Sequence, residues 1–342
     1  MSAAPLESAA STRAAVIGGG SWGTAFARLL VNAGVVTEII CRRPYQSEAI
    51  NRNHRNPDYL ESVELPAELM ASTFDDNNLS LADLVVVAVP SKAFREVIHR
   101  LAGGISPEAP VLSLTKGLEP ETLKRMSQVL GSELPAPASR RIAVLSGPNH
   151  AEEIALDIPS ASTIASTDAR LAKKLQKIIS STSFRVYVND DVAGVELCGA
   201  TKNIIALAAG MSDGLGFGDN TKASLMTRGL VEMSRLGEKM GADPRTFSGL
   251  AGMGDLIATC TSRHSRNRRA GEMIARGKTP AEAESEMGMV AEGLTSARSV
   301  YELAAGVDLE MPITEQVCEV IYEGKNVLLA VAELMGRTPT YE

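Results

Sequence analysis

The stretch Arg13-Ala-Ala-Val-Ile-Gly-Gly-Gly-Ser-Trp-Gly-Thr-Ala25 decides the fold. A short apolar run breaks into glycines and resumes as an apolar-periodic segment reaching Asn32, which reads as a buried strand, a tight turn and the start of a helix. Gly18, Gly20 and Gly23 satisfy G-x-G-x-x-G: the first makes the turn, the second admits a pyrophosphate close to the backbone, and the third lets helix and strand pack tightly. Unpaired N–H groups and the dipole at the helix start then face the diphosphate. Three glycines beside an apolar run also occur in an ordinary strand–turn–helix. The context favours the dinucleotide reading, because a second strand-like run, Val36-Thr-Glu-Ile-Ile-Cys41, follows at once.

After that second strand, sites selective for NADH carry an acid that holds the ribose 2′-hydroxyl. This chain has Arg42 and Arg43 there. Guanidiniums cannot accept from a hydroxyl but pair well with a 2′-phosphate, so the expected cofactor is NADPH in preference to NADH. A solvated pair of arginines at a strand end is the alternative.

Working outward, continuous apolar runs at Leu84–Pro90, Val111–Thr115 and Ile142–Ser146 read as strands buried on both faces. Short strands are also expected at Met70–Phe74, Ser160–Ala165 and Phe184–Val188, with helices near Gln46–Arg55, Ser91–Leu101, Glu119–Leu130, Ala151–Leu156 and Asp168–Ile179. The alternation implies an α/β fold with a doubly wound, Rossmann-like, mostly parallel sheet. From residue 190 helical periodicity takes over and no convincing strand remains. The expected organisation is a flexible tail over 1–12, a dinucleotide-binding domain over 13–189 and an all-helical substrate and catalytic domain over 190–342. Ligands of such sheets lie beyond the carboxyl ends of the strands, which singles out Pro90-Ser91, Lys116-Gly117 and Gly147-Pro148-Asn149.

With 342 residues, 44% hydrophobic and 22% charged, the chain is long enough for two cores. A net charge of −7 argues against a nucleic acid or an anionic membrane as partner, so an anionic substrate needs local positive charge. The four cysteines lack metal or redox spacing and read as reduced thiols, which points to the cytoplasm. The first twelve residues lack the basic and apolar regions of a signal peptide. No apolar run is expected to reach the roughly 18 residues of a membrane span.

Chemistry-bearing residues are few. Lys116 precedes a glycine at a strand end, where a long cation can enter the crevice or equally snorkel to solvent. Lys202 sits among small and apolar neighbours from Ala193 to Gly210, with Glu196 and Asn203 as polar company. Desolvation there lowers the pKa of a lysine towards neutrality, as proton exchange with a carbonyl oxygen requires; a lysine on an exposed helix face is the alternative. Asp255 is the one acid in a glycine-punctuated apolar loop, either a partner for a lysine or a cap for the following helix. Arg263-His-Ser-Arg-Asn-Arg-Arg269 places guanidiniums at a helix start, which suits a small phosphoester. No stacking platform of aromatics accompanies it, so nucleic acid fits poorly. His54, His99, His150 and His264 are scattered and suggest no metal site.

Taken in order, Gly18 to Ala25, Val89-Pro-Ser, Thr115-Lys-Gly, Ser146-Gly-Pro-Asn, Glu196 to Asn203, Gly252-Met-Gly-Asp-Leu and His264-Ser-Arg-Asn resemble the bacterial type of NAD(P)-dependent glycerol-3-phosphate dehydrogenases. The resemblance implies interconversion of dihydroxyacetone phosphate and sn-glycerol 3-phosphate for phospholipid backbones. It implies Lys202 as proton donor and base, with Lys116 and Asp255 as its partners. Ser265, Arg266 and Asn267 then match a substrate-phosphate clamp, with Gly147 and Asn149 nearby. Ser21, Trp22, Arg42, Arg43, Lys116, Ala151, Arg266, Val290 and Glu292 match positions on the cofactor side. Helical domains of this sort commonly dimerise, so a homodimer is expected. His150 departs from the family, which more often has an aromatic such as phenylalanine there. Rival readings are a 3-hydroxyacid dehydrogenase, with a carboxylate substrate, and a non-catalytic nucleotide sensor, which would bind cofactor without turnover.

Overall fold

A computed structural model describes residues 12–338. The tail expected over 1–12 lies outside these residues except for Thr12, whose carbonyl accepts the Val36 N–H. The chain divides into two compact units. The first comprises the described part of Met1–Thr115 together with Met126–Val192; the second comprises Lys116–Arg125 and the described part of Ala193–Glu342. Ten residues that follow a strand of the sheet thus belong with the helices.

The first unit contains β1 (Arg13–Ile17), α1 (Ser21–Asn32), β2 (Val36–Cys41), α2 (Pro44–Asn53), β3 (Met70–Thr73), β4 (Leu84–Val87), α3 (Ser91–Leu101), β5 (Val111–Ser113), α4 (Met126–Glu133), β6 (Ile142–Ser146), α5 (Ala151–Ile154), β7 (Ser160–Ala165), α6 (Ala169–Ile179) and β8 (Phe184–Asn189). The strands form one sheet in the order β3-β2-β1-β4-β5-β6-β7-β8. Every neighbouring pair is parallel except β6 and β7. The doubly wound, mostly parallel sheet expected from the alternation therefore forms. All four residues of β4 are buried, because its two sides both face core: Leu84 and Val86 pack with Val16, Phe26 and Leu112, while Val85 and Val87 pack with Ile17, Phe94 and Leu130. Double coverage explains why the strand reads as an unbroken apolar run. Each such side chain contributes roughly 1.5–3 kcal/mol on burial. The strand order reverses between β1 and β4, which makes the carboxyl edge of these two strands the switch point where such sheets bind ligands.

One expected helix is displaced. The segment Glu119–Leu130 becomes helical only at Met126. Before it, Leu118 and Arg125 pair as an antiparallel bridge, the Glu119 N–H donates to Lys124 O, and Leu123 adopts φ +57°. A left-handed leucine costs roughly 1–2 kcal/mol and interrupts any right-handed helix. The Thr122 hydroxyl also donates to the Glu119 carboxylate, a local bond that competes with helix formation.

The second unit holds α7 (Val192–Gly214), α8 (Asp219–Lys239), α9 (Pro244–Phe247), α10 (Asp255–Thr261), α11 (Arg266–Ala275), α12 (Pro280–Met287), α13 (Glu292–Ala305), α14 (Pro312–Glu323) and α15 (Val327–Gly336). No strand follows β8 among the described residues. By length and composition alone α7 is long and apolar enough to cross a membrane, but Glu196 and Lys202 interrupt it, so no unbroken apolar run reaches that length. Moreover, 83% of its most apolar window is buried, so it is the central core helix of its unit. Glycine and alanine supply much of its apolar character, and these give no long run of large side chains for a sequence reader to notice.

Candidate active site

The glycine turn of the first unit is built by sterics. Gly18 takes φ +118°, and a Cβ there would stand 2.4 Å from Ala88 O. A Cβ on Gly23 would stand 1.9 Å from Gly18 O, so only glycine lets α1 pack so closely on the turn. Gly20 differs: a Cβ would meet nothing within 4 Å. That open space lies at the N-cap of α1, where no side chain caps the helix and no acid occupies the first turn. The orphan N–H groups and dipole are thus left for an anion, and the turn fits a dinucleotide diphosphate. Ser21 and Trp22 open the same helix, Trp22 edge-on to Phe26 at 5.5 Å.

Two residues that no motif flagged orient this turn. The Gly19 carbonyl accepts from Gln46 Nε2 at 2.8 Å and from Asn56 Nδ2 at 2.9 Å. Asn56 also donates to Thr24 Oγ1 at 2.8 Å and accepts from Gln46 at 3.0 Å. All three side chains are buried. Holding this carbonyl inward directs the neighbouring peptides' N–H groups outward. The only sequence signal available was a pair of amides in an otherwise charged stretch, which is too general to read.

Arg42 and Arg43 follow β2 as expected, but they are not equivalent. Arg43 donates to Asp58 at 2.7 Å and to the Tyr45 hydroxyl at 2.9 Å. Arg42 is exposed and makes no ion pair among the described residues. In the loop after β6, Asn149 Oδ1 accepts from Ser162 Oγ at 2.9 Å and its amide reaches Ala161 O at 3.4 Å. Its side chain is thereby tied to β7, with Gly147 beside Ser162 and Ala151 buried at the start of α5.

The second unit brings Lys116, Lys202 and Asp255 together. Lys202 Nζ donates to Asp255 Oδ1 at 2.7 Å and Lys116 Nζ to Oδ2 at 2.6 Å, so one carboxylate bridges two ammoniums. Asp255 reaches this position because the chain makes a wide π-type turn over Leu250–Gly254, where a Cβ on Gly252 would stand 2.1 Å from Phe247 O. Such turns recur at functional sites. Thr259, one turn later on α10, accepts from Lys202 Nζ at 2.7 Å and donates to Asp255 O at 2.6 Å. It completes the lysine's shell and was missed in the sequence, although its i, i+4 spacing from Asp255 was visible. Burial pushes Lys202 down to about 8; the Asp255 carboxylate opposes this, and the like charge of Lys116 adds to it. Burial of Asp255 works against its charge, but the ammoniums of Lys116 and Lys202 outweigh that and hold its carboxyl below the ordinary value.

Ser265 caps α11, its hydroxyl accepting from Arg268 N at 3.2 Å. Asn267 is buried and spends its amide internally, donating to Asn203 Oδ1 at 2.9 Å and accepting from Gly293 N at 2.9 Å. It therefore knits α7, α11 and α13 together. Arg266 is exposed and donates to Val290 O at 3.1 Å, which brings Arg266, Val290 and the half-buried Glu292 to one place. Burial raises Glu292 above the ordinary glutamate range despite the nearby Arg266 and Lys202. Arg268 is committed elsewhere, to Asp213 at 2.6 Å.

A diphosphate-ready turn at the switch point of a parallel sheet, in a chain that also buries a lysine of lowered pKa, defines a dinucleotide-dependent oxidoreductase. Comparison with known proteins narrows the class. The models of the NAD-dependent glycerol-3-phosphate dehydrogenase N-terminus and C-terminus match residues 13–172 and 191–332. The chain belongs to this family. It is 46% identical over 327 residues to glycerol-3-phosphate dehydrogenase (NAD(P)+) of Bacillus subtilis, covering 96% of this chain and 95% of that one. The corresponding protein of Pelotomaculum thermopropionicum is 49% identical over 332 residues, covering 97% and 95%. Among solved structures, glycerol-3-phosphate dehydrogenase from Coxiella burnetii superposes with a TM-score of 0.90 at 38% identity, covering 95% of this chain and 99% of that one.

Proposed function

We propose that this chain interconverts dihydroxyacetone phosphate and sn-glycerol 3-phosphate with a nicotinamide cofactor, with Lys202 as the acid and base. The observation that carries the reading is the buried Lys202 beside Asp255, with its ammonium lowered to about 8. A group that holds its proton below that pH and yields it above is matched to a carbonyl oxygen that becomes a hydroxyl near neutrality.

Gly18, Gly20, Ser21, Trp22 and Gly23 would hold the diphosphate side of the cofactor, with Arg42 and Arg43 at the adenosine ribose; Lys116, Ala151, Arg266, Val290 and Glu292 are further cofactor contacts. A reduced nicotinamide bound there would supply a hydride to C2 of the ketone. Lys202 donates its proton to the ketone oxygen, and in the reverse direction its neutral amine takes the hydroxyl proton. Asp255 and Thr259 fix Nζ in place, while burial, with a smaller addition from the Lys116 charge, keeps its pKa low. The Arg266 guanidinium, the Ser265 hydroxyl and the N-terminus of α11 hold the substrate phosphate, with Gly147, Asn149 and Asn267 shaping the surroundings. Fixing the phosphate orients the carbonyl, which contributes several kcal/mol in well-aligned reactions.

NADPH is favoured over NADH because Arg42 is left for a 2′-phosphate, although Arg43 is already shared with Asp58. The four buried free cysteines suit a reducing cytoplasm. A homodimer is supported by exposed Leu328, Leu329 and Met335 on α15. The test is oxidation of NADPH with dihydroxyacetone phosphate, run beside NADH and beside unphosphorylated dihydroxyacetone. Turnover that requires the phosphate is expected. Turnover of a 2-keto acid in its place would transfer the chain to a hydroxyacid reaction, and cofactor binding without any turnover would make it a sensor.

A further inference from the structure

The segment Lys116–Arg125 is fastened to the helical unit at both ends. At one end Lys116 reaches Asp255 on α10; at the other Arg125 NH1 donates to Glu196 Oε2 on α7 at 2.5 Å. Between them the chain folds back through the Leu118–Arg125 bridge and the left-handed Leu123, with Leu118 buried. The Arg125–Glu196 pair is largely buried, its side chains 18% and 4% exposed. Desolvating two charges is costly, so a pair of this kind is weak evidence for stability, and its geometric role has to be argued from what it attaches. Glu196 lies on the helix that also carries Lys202, so the pair ties the far end of the Lys116 segment to the element that bears the other ammonium.

We propose that Arg125 and Glu196 are positioning residues for Lys116, holding the 116–125 segment on α7 so that the Lys116 ammonium stands against Asp255. The inference rests on reading Lys116, Lys202 and Asp255 as the catalytic cluster. A strained turn with a flexible lysine at its mouth does not by itself fix Nζ, and the ion pair supplies the second point of attachment. If the segment is released, Asp255 keeps Lys202 but loses Lys116. Burial still lowers the pKa of Lys202, but the like charge of Lys116 that added to this is gone, and the charged groups left facing Lys202 are Asp255 and Glu292, both acids.

The experiment is Glu196→Gln in the full chain, which keeps the side chain's shape and removes its charge. With dihydroxyacetone phosphate, kcat is expected to fall roughly ten- to hundredfold, the scale of a misplaced catalytic group. The alkaline limb of kcat should move to higher pH. Reductive methylation of Lys116, read by mass spectrometry, should rise. Arg125→Lys, which can remake the pair, should retain most of the turnover that Arg125→Gln loses. Unchanged kcat and unchanged Lys116 labelling would overturn the proposal. So would a fall in kcat that tracks a lowered melting temperature while the pH limb and labelling stay put. If the unaltered protein does not reduce dihydroxyacetone phosphate, the reaction reading fails, and the labelling of Lys116 still decides whether Arg125 and Glu196 hold it.

Discussion

Lys202 Nζ stands 2.7 Å from Asp255 Oδ1, and the two side chains are only 7% and 3% exposed. A buried ammonium without a partner would shed its proton, and a buried carboxylate without one would take a proton up. Together they keep opposite charges while Lys202 is poised near neutrality. With Lys202 as the proposed acid and base, Lys202→Met should lower kcat by about 10² to 10⁴-fold while NADPH still binds. In the unaltered protein, ketone reduction should decline above about pH 8 as the ammonium is lost. Steady-state rates across pH, with fluorescence titration of NADPH, check both. Near-normal turnover in Lys202→Met would remove this lysine from the chemistry.

Asp255→Asn leaves two ammoniums facing each other with no carboxylate. Breaking a buried charge pair by removing one partner costs about 3–5 kcal/mol, so a clear loss of melting temperature is expected. The carboxylate is also what raises Lys202 against burial, so its removal should shift the alkaline limb of kcat to lower pH. That direction is opposite to the one expected on releasing Lys116. A limb that stays in place would mean that the titrating group is not Lys202.

How much of this could be read beforehand follows from distance along the chain. The turn from Gly18 to Gly23 was legible because strand, glycines and helix are contiguous, with close backbone contacts at Gly18 and Gly23 and open space at Gly20. The buried strands were legible because coverage of both sheet faces leaves an unbroken apolar run. Lys116 and Asp255 could be nominated singly, yet their meeting spans 139 residues and no local pattern encodes it. Gln46 and Asn56 act on Gly19 from 27 and 37 residues away, through amides that look like any polar surface. The helix expected over Glu119–Leu130 begins only at Met126 because a short-range bridge, a left-handed leucine and the Thr122–Glu119 bond override helix propensity before it.

Asn56→Ala tests the support beneath the glycine turn. The variant removes one of the two donors to Gly19 O and leaves Thr24 Oγ1 without the Asn56 amide. Unmet buried groups of this kind cost about 1–3 kcal/mol each. Part of that cost should appear as weaker NADPH binding, on the order of tenfold per 1.4 kcal/mol lost at the turn. The KM for dihydroxyacetone phosphate at saturating cofactor should hold. Equal weakening of both would indicate general loosening of the chain, not a role at the turn.

Arg266→Ala should act mainly on the substrate. The guanidinium is exposed, and its one hydrogen bond among the described residues goes to Val290 O, so little stability depends on it. A charge-assisted bond to phosphate is worth about 1.5–3 kcal/mol, which corresponds to a KM raised roughly ten- to hundredfold. Unphosphorylated dihydroxyacetone, a poor substrate for the unaltered protein, should be affected far less. Equal losses on the two ketones would place the phosphate clamp elsewhere.

Glu232 on α8 gives a pH prediction that does not involve the chemistry. Its carboxylate accepts Ile313 N at 2.7 Å, Thr314 N at 3.2 Å and the Thr314 hydroxyl at 3.2 Å, and so caps α14, whose own N-cap residue Met311 offers no side-chain bond. Burial outweighs these bonds and pushes Glu232 up to about 7 from an ordinary 4.5. Between those values the folded chain holds a proton that the unfolded chain has released. Stability therefore falls as pH rises through that window and levels off above it, by at most about 3 kcal/mol for a shift of this size. Glu232→Gln cannot titrate, so its melting temperature should decline less steeply than that of the unaltered protein over the same range. At the acid end Gln and protonated Glu present similar donors and acceptors to α14, so the two curves should lie closest there and separate with increasing pH. Parallel curves would show that Glu232 is already ionised throughout, stabilised by the helix N-terminus more strongly than burial opposes it.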